Sequence, residues 1–234
     1  YYFPYNFYFG SIFHLIHFVM QMILNLLFKD PALFLAWILA IIFGITIHEF
    51  SHALAATLQG DRTPKYNGRL TLNPLSHLDF LGFIVLLFAG FGWGKPVGFN
   101  PYNIKNKKYG PALISLAGPF INFIAVIVFG LILKLILSNE ILGVENMLVM
   151  FLAALVQINL ILGLFNLIPI PPLDGSHLLF AVLKPSANHI KVFLERYGPM
   201  LLLGLIIFDR VFNLYIFSSL FSGISNYVFQ IFGS

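Results

Sequence analysis

The chain has 234 residues, 59% of them hydrophobic and 9% charged, against roughly 25% charged in a soluble domain, and a water-soluble fold is excluded. Its 13 Lys and Arg against 9 Asp and Glu give a net charge of +4, an excess that in so apolar a chain reports orientation across a bilayer and lends no support to nucleic-acid binding. With no cysteine, disulfides and thiolate sites are out, so any metal must be held by His, Asp, Glu or backbone oxygen.

The charged residues fall in short clusters between apolar stretches that approach or exceed the ~20 residues a membrane helix needs. This predicts an all-α polytopic membrane protein, a single domain over 1–234. Tyr1 to Gly10 has no basic run of the signal-peptide type, so no cleavable leader is expected there. Ser11 to Phe28 is apolar apart from His14, His17, Gln21 and Asn25, which share one helical face, and it reads as a first span or an accessory interfacial helix. Pro31 suits the first turn of a helix running to Leu58, before Gly60 stops it. Residues 59–79 are polar and turn-rich, and the alternation over Arg69, Leu70, Thr71 and Leu72 predicts a short β element. Phe80 to Phe91 is apolar but too short to cross at ~1.5 Å per residue.

Gly92 to Tyr109 is a loop rich in Gly, Pro and Lys, and Gly110 to Leu137 is a long apolar segment. Asn139 to Asn146 turns the chain into another, Met147 to Ile168, which Pro169, Pro171 and Pro172 end. A short helix is expected after Gly175. The last apolar region, 198–231, is interrupted by Asp209 and Arg210, which leaves its crossing either at 198–217 or further on. In all, about four to six transmembrane helices are expected, with the core at 31–185. No solenoid period or inverted repeat is evident.

The chemistry concentrates in His48, Glu49 and His52, which stand together as HEFSH inside an otherwise apolar helix. Residues four apart on an α-helix lie about 40° apart around its axis, so both imidazoles can reach one Zn²⁺ with Glu49 beside it. In a soluble helix such a pattern arises readily by chance, but ionisable groups inside a membrane helix are costly and persist mainly where they line a polar site. A catalytic zinc usually takes three protein ligands. The best third candidate is Asp174 in FNLIPIPPLDG (165–175), an acid that follows three prolines at the end of a membrane helix. Its plain alternative is a helix N-cap. Rival ligands are His77, His177, Glu140, Glu145 and Glu195, while His14, His17 and His189 read as interfacial or surface residues.

Over roughly residues 31–185 the sequence resembles the site-2 protease family of intramembrane zinc metalloproteases. HEFSHALAATLQGD (48–61) is similar to the family's HExxH helix, LAGPFINF (116–123) to its AGPxxN segment and FNLIPIPPLDG to its NxxPxxxxDG element. GRLTLNPLSHLDFLG and GWGKPVGFNP resemble the compact branch without an inserted domain, and no PDZ-like or CBS-like stretch is seen. The resemblance implies that His48, His52 and Asp174 ligate Zn²⁺, that Glu49 is the catalytic acid/base, and that Asn166 binds the substrate or the developing oxyanion. Asn122 is a weaker substrate-side candidate, since an Asn in a membrane helix can simply bond its neighbour. It also implies hydrolysis of a peptide bond within or beside a transmembrane segment of a membrane-protein substrate. The alternatives from another class are a catalytically silent adaptor and a metal-binding transporter, and Glu49 argues against both.

Parity gives a test independent of the resemblance. For Asp174 to share a metal with His52, an even number of crossings must separate them, so 80–91 is expected to be a re-entrant hairpin. Loops 59–79 and 92–109 then share one side and carry Arg62, Lys65, Arg69, Lys95, Lys105, Lys107 and Lys108. The positive-inside rule makes that side cytoplasmic, in a plasma or inner membrane, and the parity puts Glu140 and Glu145 on the opposite face, where they cannot be ligands. His77 then lies in a loop beside the metal, either turned toward the site or, as the plainer alternative, bonded to Asp79 or a turn backbone.

Overall fold

The computed structural model describes residues 27–89 and 92–233. Nearly all of the expected helix at 11–28, with His14 and His17, lies outside them. The described residues form helices α1 (Pro31–Leu58), α2 (Phe80–Ala89), α3 (Gly110–Ser138), α4 (Met147–Asn166), α5 (Gly175–Val182), α6 (Asn188–Val211) and α7 (Ile216–Phe232). Asp30 starts α1 by accepting from the Leu33 N–H at 2.9 Å, with Pro31 in the first turn. Asn146 caps α4 in the same way, from Leu148 at 2.9 Å.

Among the described residues, α1, α3 and α4 are long and apolar enough to cross a membrane. They pack on one another through small residues of α1 (Ala36, Ala40, Gly44) and through two apolar layers, Leu133, Ile136, Leu152 and Leu155 in one, Val126, Val156 and Leu160 in the other. Leu35, Leu39, Phe43, Phe120, Ile127, Leu131 and Leu135 remain exposed on the outside, as a lipid-facing surface requires.

Helix α2 is too short to cross a membrane, in line with the parity expectation. It has 10 residues, about 15 Å at 1.5 Å each, half of a ~30 Å hydrocarbon core. The chain then doubles back, so that Trp93 packs on Gly82 and Gly94 pairs with Leu78. The loops on either side of this hairpin are laced together. Lys105 N–H donates to the Gln59 carbonyl (2.9 Å), Lys95 N–H to that of His77 (2.7 Å), and the Gln59 amide to the Gly110 carbonyl (3.1 Å).

Two expectations need correction. No strand forms among the described residues, and the expected β element reduces to the single antiparallel bridge Leu78 to Gly94. Residues 69–72 cannot extend because Gly68, at φ +67°, turns the chain and Arg69 points inward, its guanidinium donating to the carbonyls of Ser76 and Pro96. The C-terminal apolar region is two helices with a break at 212–215, so no continuous crossing runs over 198–217. Asp209 makes the break by accepting from the Ile216 N–H (2.8 Å), with Asn213 and Tyr215 at positive φ. Helix α7 has 17 residues, and α6 carries Lys191, Glu195, Arg196 and Asp209; neither joins the three spans.

Candidate metal centre

His48 lies ten residues before the end of α1, ~15 Å along the axis, within a helix long and apolar enough to cross a membrane. Helix α3 runs antiparallel to α1, and its residues four apart meet the α1 residues four apart. The Ile114 carbonyl faces His52, Gly118 faces both imidazoles, and Asn122 faces His48 and Gly44. Gly118 is what permits this approach. A Cβ there would stand 2.5 Å from His52 Nε2 and 2.7 Å from His48 Nε2.

Asp174 arrives from the opposite direction. After α4 the proline run, with a cis Pro171–Pro172 peptide, brings the chain back so that Gly175 rests on the backbone of Leu167 and Ile168, where no side chain would fit. Asp174 stands at the N-cap position of α5 yet makes no capping hydrogen bond. Its Oδ2 lies instead 3.0 Å from His48 Nε2 and 3.2 Å from His52 Nε2. Among the described residues, these are the three side chains whose ligand atoms converge, all within 4.8 Å of one another.

The hydrogen bonding around the group fits a cation. His48 Nδ1 is 2.6 Å from Asn122 Oδ1, and His52 Nδ1 is 2.7 Å from the Ile114 carbonyl oxygen. Both partners only accept, so in the neutral imidazoles Nδ1 carries the proton and Nε2 presents the lone pair. Those lone pairs converge on a carboxylate oxygen that is buried and has no donor. With neutral imidazoles three acceptors face one point, an arrangement that a bound cation satisfies.

A family described as Peptidase family M50 matches at residues 135–205. YwhC of Bacillus subtilis is 38% identical over 173 residues, 73% of this chain and 79% of that protein. Rip2 of Mycolicibacterium smegmatis is 31% identical over 197 residues, 79% of this chain and 73% of its own. Both carry the words zinc metalloprotease in their names. The chain belongs to peptidase family M50. It is therefore a member of the site-2 protease family that its motifs resemble, a membrane-embedded metalloprotease with zinc as its metal, rather than an adaptor or transporter. Regulator of sigma E protease of Haemophilus influenzae matches more narrowly, 39% over 71 residues, 28% of this chain and 16% of that protein. No solved structure matches.

In this M50 peptidase Glu49 is half-buried beside the imidazoles, and its Oε2 accepts from the Val97 N–H at 3.2 Å. Loop 92–98 thus lies against the carboxylate. Asn166 is the last residue of α4, half-buried, its amide donating to the Leu162 carbonyl at 3.0 Å. Asn122 is fully buried behind His48, its amide occupied by His48, Gly44 and Asn159. His77 is also buried, but Nε2 meets the Thr71 carbonyl oxygen at 2.7 Å, the turn-backbone arrangement. His177 stays outside the cluster, against the rings of Phe99 and Phe180. Glu140 and Glu145 are exposed in the α3–α4 turn, and Glu195 pairs with Lys191 at 3.7 Å.

Sequence reasoning missed Gly118, Asn159 and Asp61. Asn159 carried a signal, being with Gln157 one of two amides in the interior of an otherwise apolar helix. Asp61 is buried three residues past α1 and gathers the Thr63 N–H (3.0 Å) and hydroxyl (2.6 Å), the Asn100 N–H (2.6 Å) and the Asn103 amide (3.1 Å). Burial works to raise its pKa, but those donors together hold the carboxyl below its ordinary value. Asp61 fastens the loop at 99–103 to the C-terminal end of α1.

Proposed function

We propose that the protein hydrolyses a peptide bond within or beside a transmembrane segment of a membrane-protein substrate, with His48, His52 and Asp174 as the zinc ligands and Glu49 as the acid/base. The observation that carries this is the convergence of His48 Nε2, His52 Nε2 and Asp174 Oδ2 inside the helix bundle. Their depth favours a substrate bond inside the membrane over one in a soluble tail.

Zinc, when bound, polarises the scissile carbonyl and activates water for attack. The protein's own part is positional. Asn122 and the Ile114 carbonyl hold the imidazoles in the tautomer that offers Nε2. Glu49 takes a proton from the attacking water and returns it to the leaving amine. Val97 N–H, at 3.2 Å from Oε2, fixes that carboxylate beside the ligands. A helical substrate hides its amides in its own hydrogen bonds and must unwind before attack. The loop carrying Gly94 and Val97 passes Glu49 and already makes a β-bridge at Gly94, and an unwound segment can pair with it as a strand. Asn166, the last residue of α4, binds the substrate or the developing oxyanion in this reading.

The active-site end faces the cytoplasm of a plasma or inner membrane, because Arg62, Lys65, Lys95, Lys105, Lys107 and Lys108 all sit on the laced loops at that end. The test is a purified membrane-helix reporter with mass mapping of the products. A cut inside or next to the hydrophobic segment is expected. Cuts confined to soluble tails would contradict the proposal.

A further inference from the structure

We infer that Asn122 and Asn159 form a buried relay that fixes the tautomer of His48 and so positions its Nε2 as a ligand. The inference rests on the proposed ligand set. The relay crosses all three spanning helices. His48 Nδ1 on α1 faces Asn122 Oδ1 on α3 at 2.6 Å, Asn122 Nδ2 donates to Asn159 Oδ1 on α4 at 2.8 Å, and Asn159 Nδ2 donates to the Leu155 carbonyl at 2.8 Å. Both asparagines are fully buried.

Its direction is set by backbone at two points. A carbonyl oxygen only accepts, so Leu155 requires the NH₂ end of Asn159, which turns Oδ1 toward Asn122. The Gly44 carbonyl, 3.2 Å from Asn122 Nδ2, requires the NH₂ end of Asn122 for the same reason. Both constraints leave Asn122 Oδ1 facing His48, and an acceptor there keeps the proton on Nδ1. The lone pair is then on Nε2, aimed at Asp174. Flipping either amide would set oxygen against oxygen inside the bundle, where no water relieves it. Asn122 and Asn159 are thus positioning residues, acting on the metal through His48 without touching substrate.

The test is equilibrium zinc affinity of the full-length protein in detergent, by chelator competition, so that it does not depend on turnover. Loss of an outer partner of a ligating histidine weakens metal binding ~10–100-fold, and that loss is expected for Asn122→Leu. Asn122→Asp keeps an acceptor opposite Nδ1 but sets its second oxygen against the Gly44 carbonyl and Asn159 Oδ1, so it should lose some zinc affinity yet hold zinc more tightly than Asn122→Leu. A packing role alone would weaken both variants alike, and that result overturns the relay. Should Asn122→Leu not fold, Asn122→Ser, too short to reach Nδ1, takes its place with the same expectation. Asn159→Leu should cost less than Asn122→Leu, because Gly44 still orients Asn122, and should add nothing in the Asn122→Leu background; additive losses would sever the second link. His48→Ala separates the two levels. Zinc kept in His48→Ala would refute the ligand set and the relay with it, whereas zinc lost there but held tightly in Asn122→Leu would refute the relay alone.

Discussion

Replacing Gly118 with alanine adds one carbon where α3 touches both imidazoles. That carbon would stand 2.5 Å from His52 Nε2, 2.6 Å from His48 Cε1 and 2.7 Å from His48 Nε2, while ordinary contact begins at 3.4 Å. The nearest ring atom is therefore 0.9 Å too close (3.4 less 2.5). Neither ring can back away freely, because each Nδ1 is held by α3 itself, through Asn122 and the Ile114 carbonyl. Relief requires parting α1 from α3 or breaking those bonds, and either moves the Nε2 atoms relative to Asp174. Misplacement by ~1 Å at a reacting centre costs about 100-fold in rate, or ~2.7 kcal/mol. The assay pairs zinc affinity by chelator competition with turnover of a membrane-helix reporter. Gly204→Ala on α6 is the control, since its added carbon meets nothing within 4 Å. Gly118→Ala should lose about two orders of magnitude in turnover, with weakened zinc. Wild-type affinity and turnover in Gly118→Ala would refute the packing argument.

Asp174→Ala should release zinc and abolish cleavage while His177→Ala spares most of both; metal analysis giving the reverse pattern would show that the third ligand is misassigned. Asp61→Ala should leave zinc in place but expose residues 92–109 to protease and lower turnover. Because the Asp61 carboxyl is held below its ordinary value, its contribution is complete above about pH 4 and is lost only as pH falls through the lowered value; loosening of the loop between pH 5 and 8 would not be due to this group. Accessibility tags at Arg62 and Lys107 should both report the cytoplasmic side, and opposite sides would undo the hairpin parity.

The parts of the molecule legible in the sequence were those set by local pattern. Pro31 to Leu58 and Gly110 to about Ser138 are bounded by proline, glycine and polar residues that act on their own segment, so their limits could be read. HEFSH could be read as well, since its geometry is that of a single helix. Asp174 needed the additional premise that two crossings bring it back to the level of His52. What could not be read depends on register between segments. Nothing local says that Gly118, rather than Gly130, is the point where α3 meets the imidazoles, or that Asn159 lies level with Asn122. The alternation at Arg69 to Leu72 misled because a strand needs a partner edge, and Arg69 found carbonyls at Ser76 and Pro96 instead. At the C-terminus, hydropathy concealed the turn that Asp209 makes by capping Ile216.

The most direct measurement is zinc content together with reporter cleavage in the intact protein and in Glu49→Gln. The substitution removes the proton acceptor but no proposed ligand, so about one zinc per chain should remain while cleavage disappears. Near-normal cleavage by Glu49→Gln would contradict the acid/base role, and absence of zinc from the active parent protein would contradict the metal centre itself.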